Sequence, residues 1–488
     1  MKKLLLLFVL FVFTGVTAMF AQTKVITGTV TSAVEGEGAI PGVTVQVKGT
    51  TIGTVTDING KYSLSVPQNA TTLIFTYIGM KRQEVEIAGR SEINAVLESD
   101  ILGLDEVVVT ALGISREKKA LGYSVQDVTG DEIAKAKETN IINSLHGRVS
   151  GAQITATSGA VGASSRIVIR GVSSLSGNNQ PLFVVDGIPI DNSNFGDTGT
   201  DGVNKGSGAA DINPDDIETM TVLKGANASA LYGSRASAGV IVVTTKKGKK
   251  GEKLTVDLSN STTFETPLRL PDYQNKYGQG NGGAFWYVDG AGGGINDGVD
   301  ESWGPQLDVG LMIPQFSSVD ENGVAQPAPW VSHPDNVKDF FEVGHTITTN
   351  VSLTGGTDKS NFRLSFTNMT QKGMVPNTDF KKNTLSFNAS TNPVDKLTFS
   401  ASGSYIGAKS DNQPGYGYTA NNVMQQFSWT GRQVDYKLLK AKQYNADGSI
   451  FNWNHNYHNN PYMTLYENLN TLDRDRFIGN ATVSYKFT

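Results

Sequence analysis

The residue types best suited to chemistry lie in two stretches of the C-terminal half. Gly278 to Gly283 satisfy the pattern GxGxxG, which binds nucleotides where it follows a strand and opens a helix. No strand is predicted before this stretch and no helix after it. His455 and His458 share a loop rich in Asn and Tyr, without carboxylate or cysteine partners at metal-ligand spacing. We predict neither a nucleotide site nor a metal site, and we expect both histidines in a solvated loop.

Other catalytic arrangements are missing from the sequence. The 488 residues include no cysteine, which excludes disulfides, thiolate metal sites and a cysteine nucleophile. Neither HExxH nor GxSxG occurs, so a hydrolase would have no metal or nucleophile to use. A net charge of -5 argues against a polyanionic partner such as nucleic acid. The sequence therefore predicts a protein that is not an enzyme and that uses no cofactor.

Aromatic residues are concentrated in two long polar segments, and we predict that some of them bind cargo. Flat apolar rings beside Asn and Asp suit the alternating apolar and hydroxylated faces of a sugar, and they suit peptides as well. The alternative is the aromatic girdle that a transmembrane β-barrel carries at its interfaces. The candidate substrate-binding residues are Trp286, Trp303, Trp330, Tyr416, Tyr418, Trp429 and Trp453.

The elements that must position these rings begin at residue 253, where apolar and polar residues alternate in about six segments. This is the pattern of a transmembrane β-barrel with lipid outside and water inside. The connections 266–344 and 410–474 are long and the connections 355–360 and 392–396 are short, as expected for extracellular loops and periplasmic turns. Residues 253–488 are thus predicted to be the start of a barrel. Because about six strands cannot close into a barrel around a domain the size of residues 120–250, we expect the chain to be a fragment.

Residues 120–250 are predicted to form a compact α/β domain. A helical stretch should begin at Thr129 and reach about His146, and Asn213 can cap a short helix that starts at Pro214. Buried strands are expected at 219–223 and 240–243.

Two arginines of this domain alternate with isoleucines on a predicted strand. Arg166 and Arg170 would therefore share one face with each other. They are expected either to contact the barrel wall or to face solvent.

The N-terminal part of the chain consists of a leader and a β-rich domain. Residues 1–21 have two lysines, a short apolar run and small residues, which predicts a secretory signal peptide. Residues 24–98 contain six short alternating segments separated by turn residues, which predicts an all-β sandwich. Asp57 to Gly60 are expected to form an Asx turn rather than a calcium loop. The fold class as a whole is mainly β, with a sandwich, an α/β domain and an incomplete barrel.

Two stretches carry a resemblance to a known family. IVIRGVSSLSGNNQPLFVVDGIPID, at residues 167–191, and ANASALYGSRASAGVIVVTTKKGKK, at residues 226–250, resemble the plug domain of TonB-dependent outer-membrane transporters of the SusC/RagA branch. Residues 24–98 resemble the carboxypeptidase-regulatory-like domain that often precedes this plug. In the junction 99–119, the segment Asp105, Glu106, Val107, Val108, Val109 and Thr110 resembles a TonB box, which would bind its partner by strand addition.

The resemblance implies an importer in the outer membrane of a Gram-negative, Bacteroidota-like bacterium. It implies oligosaccharide or peptide cargo, a TonB-type periplasmic energy-coupling protein, a SusD-like surface lipoprotein and contact with outer-membrane lipid. Two alternatives stay open: a siderophore or cobalamin receptor, and a surface adhesin or signalling receptor that binds glycan without importing it.

Overall fold

The computed structural model describes residues 23–33, 38–77, 80–98, 107–109, 115–117, 125–156, 159–175, 178–193, 195, 202–225, 227–285, 300–419, 421–454 and 457–487. The chain divides into two compact units, Met1–Val107 with Glu117–Ala120, and Val108–Arg116 with Leu121–Thr488. Each unit is considered by itself. Within the described residues, no helix has the length and apolar character needed to cross a membrane.

The first unit is a β-sandwich. Its strands are β1 (Thr23–Ser32), β2 (Thr44–Val47), β3 (Gly53–Val55), β4 (Lys61–Pro67), β5 (Thr72–Thr76), β6 (Gln83–Glu86) and β7 (Ala95–Leu97). They form a three-stranded and a four-stranded sheet, with strand orders β4-β1-β7 and β3-β2-β5-β6. Strand β3 was not predicted. The turn at Asp57 is an Asx turn, because Asp57 Oδ1 accepts bonds from the Asn59 and Lys61 amides at 2.8 and 2.9 Å.

The second unit contains the α/β domain. Two short strands precede it, β8 (Val107–Val109) and β9 (Ser115–Glu117), which form a two-stranded sheet. The elements of the domain are β10 (Val125–Thr129), α1 (Gly130–Ala136), α2 (Ile141–Ser144), β11 (Ala152–Ala156), β12 (Ser165–Ile169), β13 (Leu182–Val185), β14 (Ile188–Ile190), β15 (Gly202–Val203), β16 (Ile217–Leu223), α3 (Asn227–Tyr232) and β17 (Val240–Thr245). Its main sheet has five strands in the order β10-β16-β17-β13-β14, in which β13 and β17 are parallel.

The helical stretch predicted from Thr129 to about His146 is interrupted, because the chain forms two short helices there. Helix α1 starts as predicted, with the Glu132 carboxylate accepting a bond from the Thr129 amide at 3.2 Å. It ends at Lys137, whose φ of 48° is left-handed. Asn140 then caps α2 by accepting a bond from the Ile142 amide at 3.1 Å. A second capping residue inside the stretch favoured a new start over continuation.

Residues 246–254 connect the α/β domain to the C-terminal part of the chain, and we call them the exit segment. The elements of the C-terminal part are β18 (Thr255–Glu265), β19 (Met312–Val319), β20 (Ala325–Pro329), α4 (Asn336–Phe340), β21 (Gly344–Gly356), β22 (Ser360–Lys372), β23 (Asp379–Val394), β24 (Leu397–Ser410), β25 (Gly415–Tyr416), α5 (Tyr436–Ala441), α6 (Pro461–Glu467) and β26 (Leu472–Tyr485). The long strands form a six-stranded antiparallel sheet, which we call the wall sheet, in the order β18-β21-β22-β23-β24-β26.

The two faces of the wall sheet differ in the way the alternation predicted. Apolar side chains on one face are exposed, and cross-strand neighbours such as Leu364 and Phe387 form rows along it. The exposed members include Val256, Leu258, Val351, Leu364, Phe366, Leu385, Phe387, Phe399, Phe477 and Val483. Polar side chains on the other face are buried against the α/β domain, among them Asn350, Ser352, Arg363, Ser365, Thr367, Lys382, Thr384 and Asn388. The sheet is open, as expected for part of a barrel.

Candidate functional site

The α/β domain meets the wall sheet along a polar surface, which we call the seam, and one carboxylate of the seam faces two arginines. Asp211 ends a short 3-10 helix, Gly208–Asp211, and is buried. Its Oδ1 accepts a bond from Arg474 Nη2 at 2.5 Å and its Oδ2 from Arg476 Nη1 at 2.9 Å. The two arginines are two residues apart on β26 and therefore share a face of the sheet.

Further groups of the seam surround this carboxylate. The guanidinium carbon of Arg474 lies 3.9 Å from the centre of the Phe195 ring, a cation-π contact. The buried Lys382 of β23 donates to the Ala210 carbonyl at 2.7 Å. Gly208 is required by close backbone approach, because a Cβ there would lie 1.8 Å from the Asp191 carbonyl oxygen. Hydrogen bonds from Ser193 lower the pKa of the Asp191 carboxyl.

A second ion pair of the seam is buried on both sides. Arg363 Nη1 of β22 lies 2.9 Å from Asp216 Oδ1. The other oxygen, Asp216 Oδ2, accepts a bond from Asn213 Nδ2 at 2.7 Å, and the same amide lies 2.8 Å from Thr367 Oγ1 of the wall. Removing one partner of such a pair leaves an uncompensated buried charge and costs about 3–5 kcal/mol.

The Asn213 cap was predicted, and it both starts a short helix and orients Asp215. Its Oδ1 accepts a bond from the Asp215 amide at 3.3 Å, which starts the 3-10 helix Pro214–Asp216. Asp215, turned towards the wall by this helix, pairs with Lys137, whose ammonium also donates to Ser259 Oγ of β18 at 3.3 Å. The left-handed residue that ends α1 therefore also supplies a contact across the seam.

The seam is not closely packed throughout. A cavity of about 60 Å³ lies between the two ion pairs and is lined from the domain side by Asp211 and Asp216 and from the wall by Arg363 and Ser404. Its lining also includes apolar side chains such as Ile212 and Ile478, and a space of this size can hold one or a few water molecules beside the polar groups. The seam therefore resembles a transient interface more than a protein core.

At the edge that lies away from the exit segment, the α/β domain forms hydrogen bonds with the long connection that follows β24. Strand β15 pairs antiparallel with β25, Gly202 with Tyr416 and Val203 with Gly415. Gln413 Nε2 donates to the Val161 carbonyl at 3.3 Å. Tyr416, predicted to bind cargo, thus has its backbone in a ladder with the α/β domain.

The two long connections, residues 266–343 and 411–471, pack together into what we call the loop layer. Phe340 is at its centre, with ring centroids 5.0 Å from Phe427, 5.5 Å from Tyr462 and 6.0 Å from Tyr436. Tyr436 is fully buried, its hydroxyl lies 3.0 Å from Thr430 Oγ1, and burial raises its pKa. The loop layer therefore has an aromatic core of its own.

The predicted substrate-binding residues fall into different environments. Trp330 and Trp453 are only 1% exposed, so both rings are buried within the loop layer in this structure, and Trp453 belongs to its aromatic core. Their part in cargo binding stays a prediction. Trp429 is partly buried against the same core. Trp303 and Tyr418 are 62% and 75% exposed. Trp286 lies outside the described residues.

The prediction of a solvated loop is wrong for His458. This side chain is buried, and its ring stacks on Trp453 with 5.0 Å between centroids and 13° between planes. Its Nε2 lies 3.2 Å from Asp300 Oδ2, a partner 158 residues earlier in the chain that local spacing could not reveal. His455 lies outside the described residues. Among the residues that are described, no group of three or more His, Asp or Glu side chains is arranged to hold a metal.

The GxGxxG stretch is used for backbone packing in the loop layer. A Cβ at Gly278 would lie 2.3 Å from Trp330 Cζ2, and one at Gly280 would lie 2.1 Å from the Ala284 carbonyl oxygen. Gly280 also has a φ of 129°. These glycines bring the chain close to a buried tryptophan and to the segment that carries Trp303.

The predicted partner-binding segment is described only in part. Val107, Val108 and Val109 form β8, and Asp105, Glu106 and Thr110 lie outside the described residues. Arg166 and Arg170 are exposed, which corresponds to the solvated alternative. The wall contacts come instead from Asp211, Asp215 and Asp216. Asp215 and Asp216 lie in the short helix predicted from Pro214, whereas no sequence motif singled out Asp211.

Two family models match the chain. Residues 117–240 match the TonB-dependent Receptor Plug Domain, and residues 26–109 match the CarboxypepD_reg-like domain. These matches, together with the sheet whose apolar face is exposed, define a TonB-dependent receptor, and from here the α/β domain is called the plug domain.

Comparison with characterised proteins narrows this class. The chain is 30% identical over 511 aligned residues to the TonB-dependent receptor SusC of Bacteroides thetaiotaomicron, covering 100% of this chain and 45% of SusC. It is 28% identical to a TonB-dependent receptor of Formosa agariphila, covering 100% of this chain and 42% of that protein. The chain belongs with the SusC/RagA-type TonB-dependent receptors. It spans less than half the length of these relatives.

Among solved structures, the RagAB peptide importer in its open-open state is similar to this chain. The identity is 23% and the TM-score 0.48, over 64% of this chain and 33% of that one.

Proposed function

We propose that this protein is a TonB-dependent importer in the outer membrane of a Gram-negative, Bacteroidota-like bacterium. The observation that carries the proposal is the two-faced wall sheet, which exposes apolar rows on one side and holds the plug domain by polar contacts on the other. Lipid would cover the apolar face, and the plug domain would block the lumen. The similarity to receptors of Bacteroides and Formosa supports the source.

The contacts of the seam would hold the plug domain in the lumen in this blocked state. They include ion pairs and hydrogen bonds, which water can replace when the plug domain moves, and one apolar cluster in which Val161 packs against Met369 and Phe380 of the wall. A pull on the chain N-terminal to the plug domain would therefore separate polar contacts and expose this small apolar cluster. The mechanism needs no chemistry from the protein.

The partners follow from the family and from the position of β8. A TonB-type periplasmic protein would add a strand to the segment from Asp105 to Thr110 and pull through it. A SusD-like surface lipoprotein would cover the loop layer. The cargo would be an oligosaccharide or a peptide, bound by exposed aromatic residues of the loop layer such as Trp303 and Tyr418.

Proline substitution in the full-length receptor tests the coupling step. Val107→Pro and Val109→Pro each remove a backbone donor and fix φ, whereas Val107→Ala and Val109→Ala keep the backbone able to pair. We expect energy-dependent uptake to fall in at least one proline variant while cargo binding to whole cells persists. Uptake at the unmodified rate in both proline variants would show that this segment is not the TonB box.

Uptake assays with several cargoes address the function itself. Cells with and without the energy-coupling complex should be given labelled oligosaccharides, peptides and ferric siderophores in parallel. Coupled uptake of an oligosaccharide or peptide supports the proposal. Uptake of siderophore alone would favour the siderophore receptor, and binding without uptake would favour an adhesin.

A further inference from the structure

One rim of the wall sheet, away from the loop layer, carries a concentration of lysines. The rim consists of the exit segment, the two short turns and the residue after β26. Its exposed lysines are Lys247, Lys249, Lys250, Lys253, Lys359, Lys396 and Lys486, and we call this set the lysine rim. Among the described residues there, three carboxylates, Glu252, Asp358 and Asp395, accompany the seven lysines. The whole chain has a net charge of -5, so the positive excess is local.

The lysine rim has a fixed geometry because backbone bonds connect its parts. The Asn392 amide donates to the Lys359 carbonyl at 2.7 Å, and the Lys486 amide donates to the Lys396 carbonyl at 2.8 Å. Lys250 Nζ donates to Asn392 Oδ1 at 2.6 Å and ties the exit segment to a turn. The backbone positions from which Lys359, Lys396 and Lys486 extend are therefore held by the hydrogen bonds of this edge.

The opposite rim of the same sheet has the reverse charge balance. Its lysines on the apolar face are Lys372, Lys381 and Lys409, and its carboxylates are Asp379, Asp411, Asp473 and Asp475. Lys381 Nζ lies 3.4 Å from Asp379 Oδ2 and 3.3 Å from Asp411 Oδ2. The lysine excess is thus a feature of one rim and not a general way of ending these strands.

The apolar face begins directly beside the lysine rim. An open groove of about 690 Å³ lies there, and its apolar lining includes Leu254, Phe362, Phe399 and Val483. The four-carbon stem of a lysine can lie on such a surface while its ammonium group extends beyond it. The two features together fit a molecule with an anionic head at the level of the lysines and an apolar tail at the level of the groove.

We propose that the lysine rim and this groove bind an anionic phospholipid of the leaflet on the exit-segment side. Its phosphate contacts Lys359, Lys396 and Lys486, and an acyl chain lies along the groove. The inference rests on the proposed membrane location of the wall sheet. Near a membrane surface each lysine contributes about 1 kcal/mol, which is about fivefold in affinity. An acidic protein docked on the lysines would not use the groove, which is why the lipid is favoured.

Headgroup selectivity of the purified full-length receptor tests this proposal. In mild detergent, phosphatidylglycerol and phosphatidylcholine are titrated separately and bound lipid is counted by native mass spectrometry. Wild type should bind phosphatidylglycerol more tightly than phosphatidylcholine. In the triple variant K359Q/K396Q/K486Q the affinity for phosphatidylglycerol should fall more than tenfold. The matched control K372Q/K381Q/K409Q, on the opposite rim, should stay within twofold. Equal losses in the two triple variants, or no loss in the first, would overturn the proposal.

Two further arms distinguish a lipid site from a simple anion site and from a folding defect. Glycerol phosphate, which has the charge without the acyl chains, should bind wild type at least tenfold more weakly than phosphatidylglycerol; equal binding would exclude a lipid site. If the triple variant does not fold, Lys486→Gln alone should lower phosphatidylglycerol affinity about fivefold. Cargo uptake is measured in parallel, so that a wild-type receptor without lipid selectivity but with intact uptake rejects only this inference, whereas a wild-type receptor with selectivity but without uptake rejects only the transport function.

Discussion

The seam and the loop layer are both large internal contacts, but they are joined by different physics. The seam connects the plug domain to the wall sheet through ion pairs such as Arg363 with Asp216, next to a cavity of about 60 Å³. The loop layer is held together by aromatic packing around Phe340. Buried polar contacts can be exchanged for water when surfaces separate, whereas an aromatic core loses its hydrophobic stabilisation.

This difference suggests which parts of the molecule move as units. The loop layer should keep its shape while cargo is bound, because opening it exposes several large rings. The plug domain should be the separable element, since the wall surface that it contacts is polar apart from one small apolar cluster around Val161 and Phe380. The β15–β25 ladder, in which Gly202 pairs with Tyr416, links the two and could transmit a displacement of the plug domain to the loop layer.

The largest expected effect is at the centre of the loop layer. Phe340→Ala should destabilise this layer by about 4 kcal/mol, because a fully buried ring is removed and a cavity remains. Limited proteolysis of the full-length receptor should then cut within residues 411–471 much faster than in wild type. Phe341→Ala, at a partly buried neighbour, is the control and should have a smaller effect. Equal protease resistance of Phe340→Ala and wild type would contradict an aromatic core.

Breaking the buried ion pair should have the next largest effect, and it should act on the seam alone. Arg363→Leu leaves Asp216 buried without its cation, at a cost of about 3 kcal/mol, so the plug domain should loosen and the outer membrane should leak large antibiotics. The double variant R363L/D216L removes both charges and should recover much of the loss. If the double variant leaks as much as the single one, the pair is not what holds the seam.

A smaller effect is expected from the arginine pair on Asp211. Arg474→Gln or Arg476→Gln should each cost about 1.5 kcal/mol, as for a hydrogen bond to a charged group. Because both bond to one carboxylate, the two losses should not add. Double-mutant cycles that combine each arginine variant with Asp211→Asn, measured by thermal unfolding of the plug domain, give the coupling energy between each arginine and Asp211. Fully additive losses would indicate that the two contacts are independent.

The alternation of the wall strands predicted its faces correctly because a strand places successive side chains on opposite sides whatever its neighbours are. The capping role of Asn213 could likewise be predicted from the sequence, since an N-cap acts within three residues. The contacts of the seam could not be predicted. Asp211 meets Arg474 and Arg476 across more than 260 residues, and neither side forms a motif.

The exposure of the aromatic residues could not be predicted from the sequence either. Composition identified tryptophans in polar segments, but exposure is decided by packing between the two long connections. His458 illustrates this, because its partner Asp300 belongs to the other connection. Trp330 and Trp453 became core residues, whereas Trp303 remained on the surface.

The smallest stability effect, and the sharpest test of cargo binding, is expected at Trp303. Its backbone is held on both sides, because its amide donates to the Gly280 carbonyl and its carbonyl accepts from the Gly283 amide, each at 2.9 Å. The ring is 62% exposed and lies 5.6 Å from Tyr277, so it is a rigid surface for stacking and not part of a core. Trp303→Ala should therefore change unfolding by less than about 0.5 kcal/mol.

Cargo affinity of the same variant should fall by about tenfold, or about 1.4 kcal/mol, if cargo stacks on this ring. Trp303→Phe keeps a flat apolar face and should recover most of that affinity. Trp453→Ala is the opposite case: it should cost about 3–5 kcal/mol in stability, because its ring is buried. Binding isotherms and thermal unfolding of the three full-length variants separate the two roles. Unchanged affinity in Trp303→Ala would remove this residue from the cargo site.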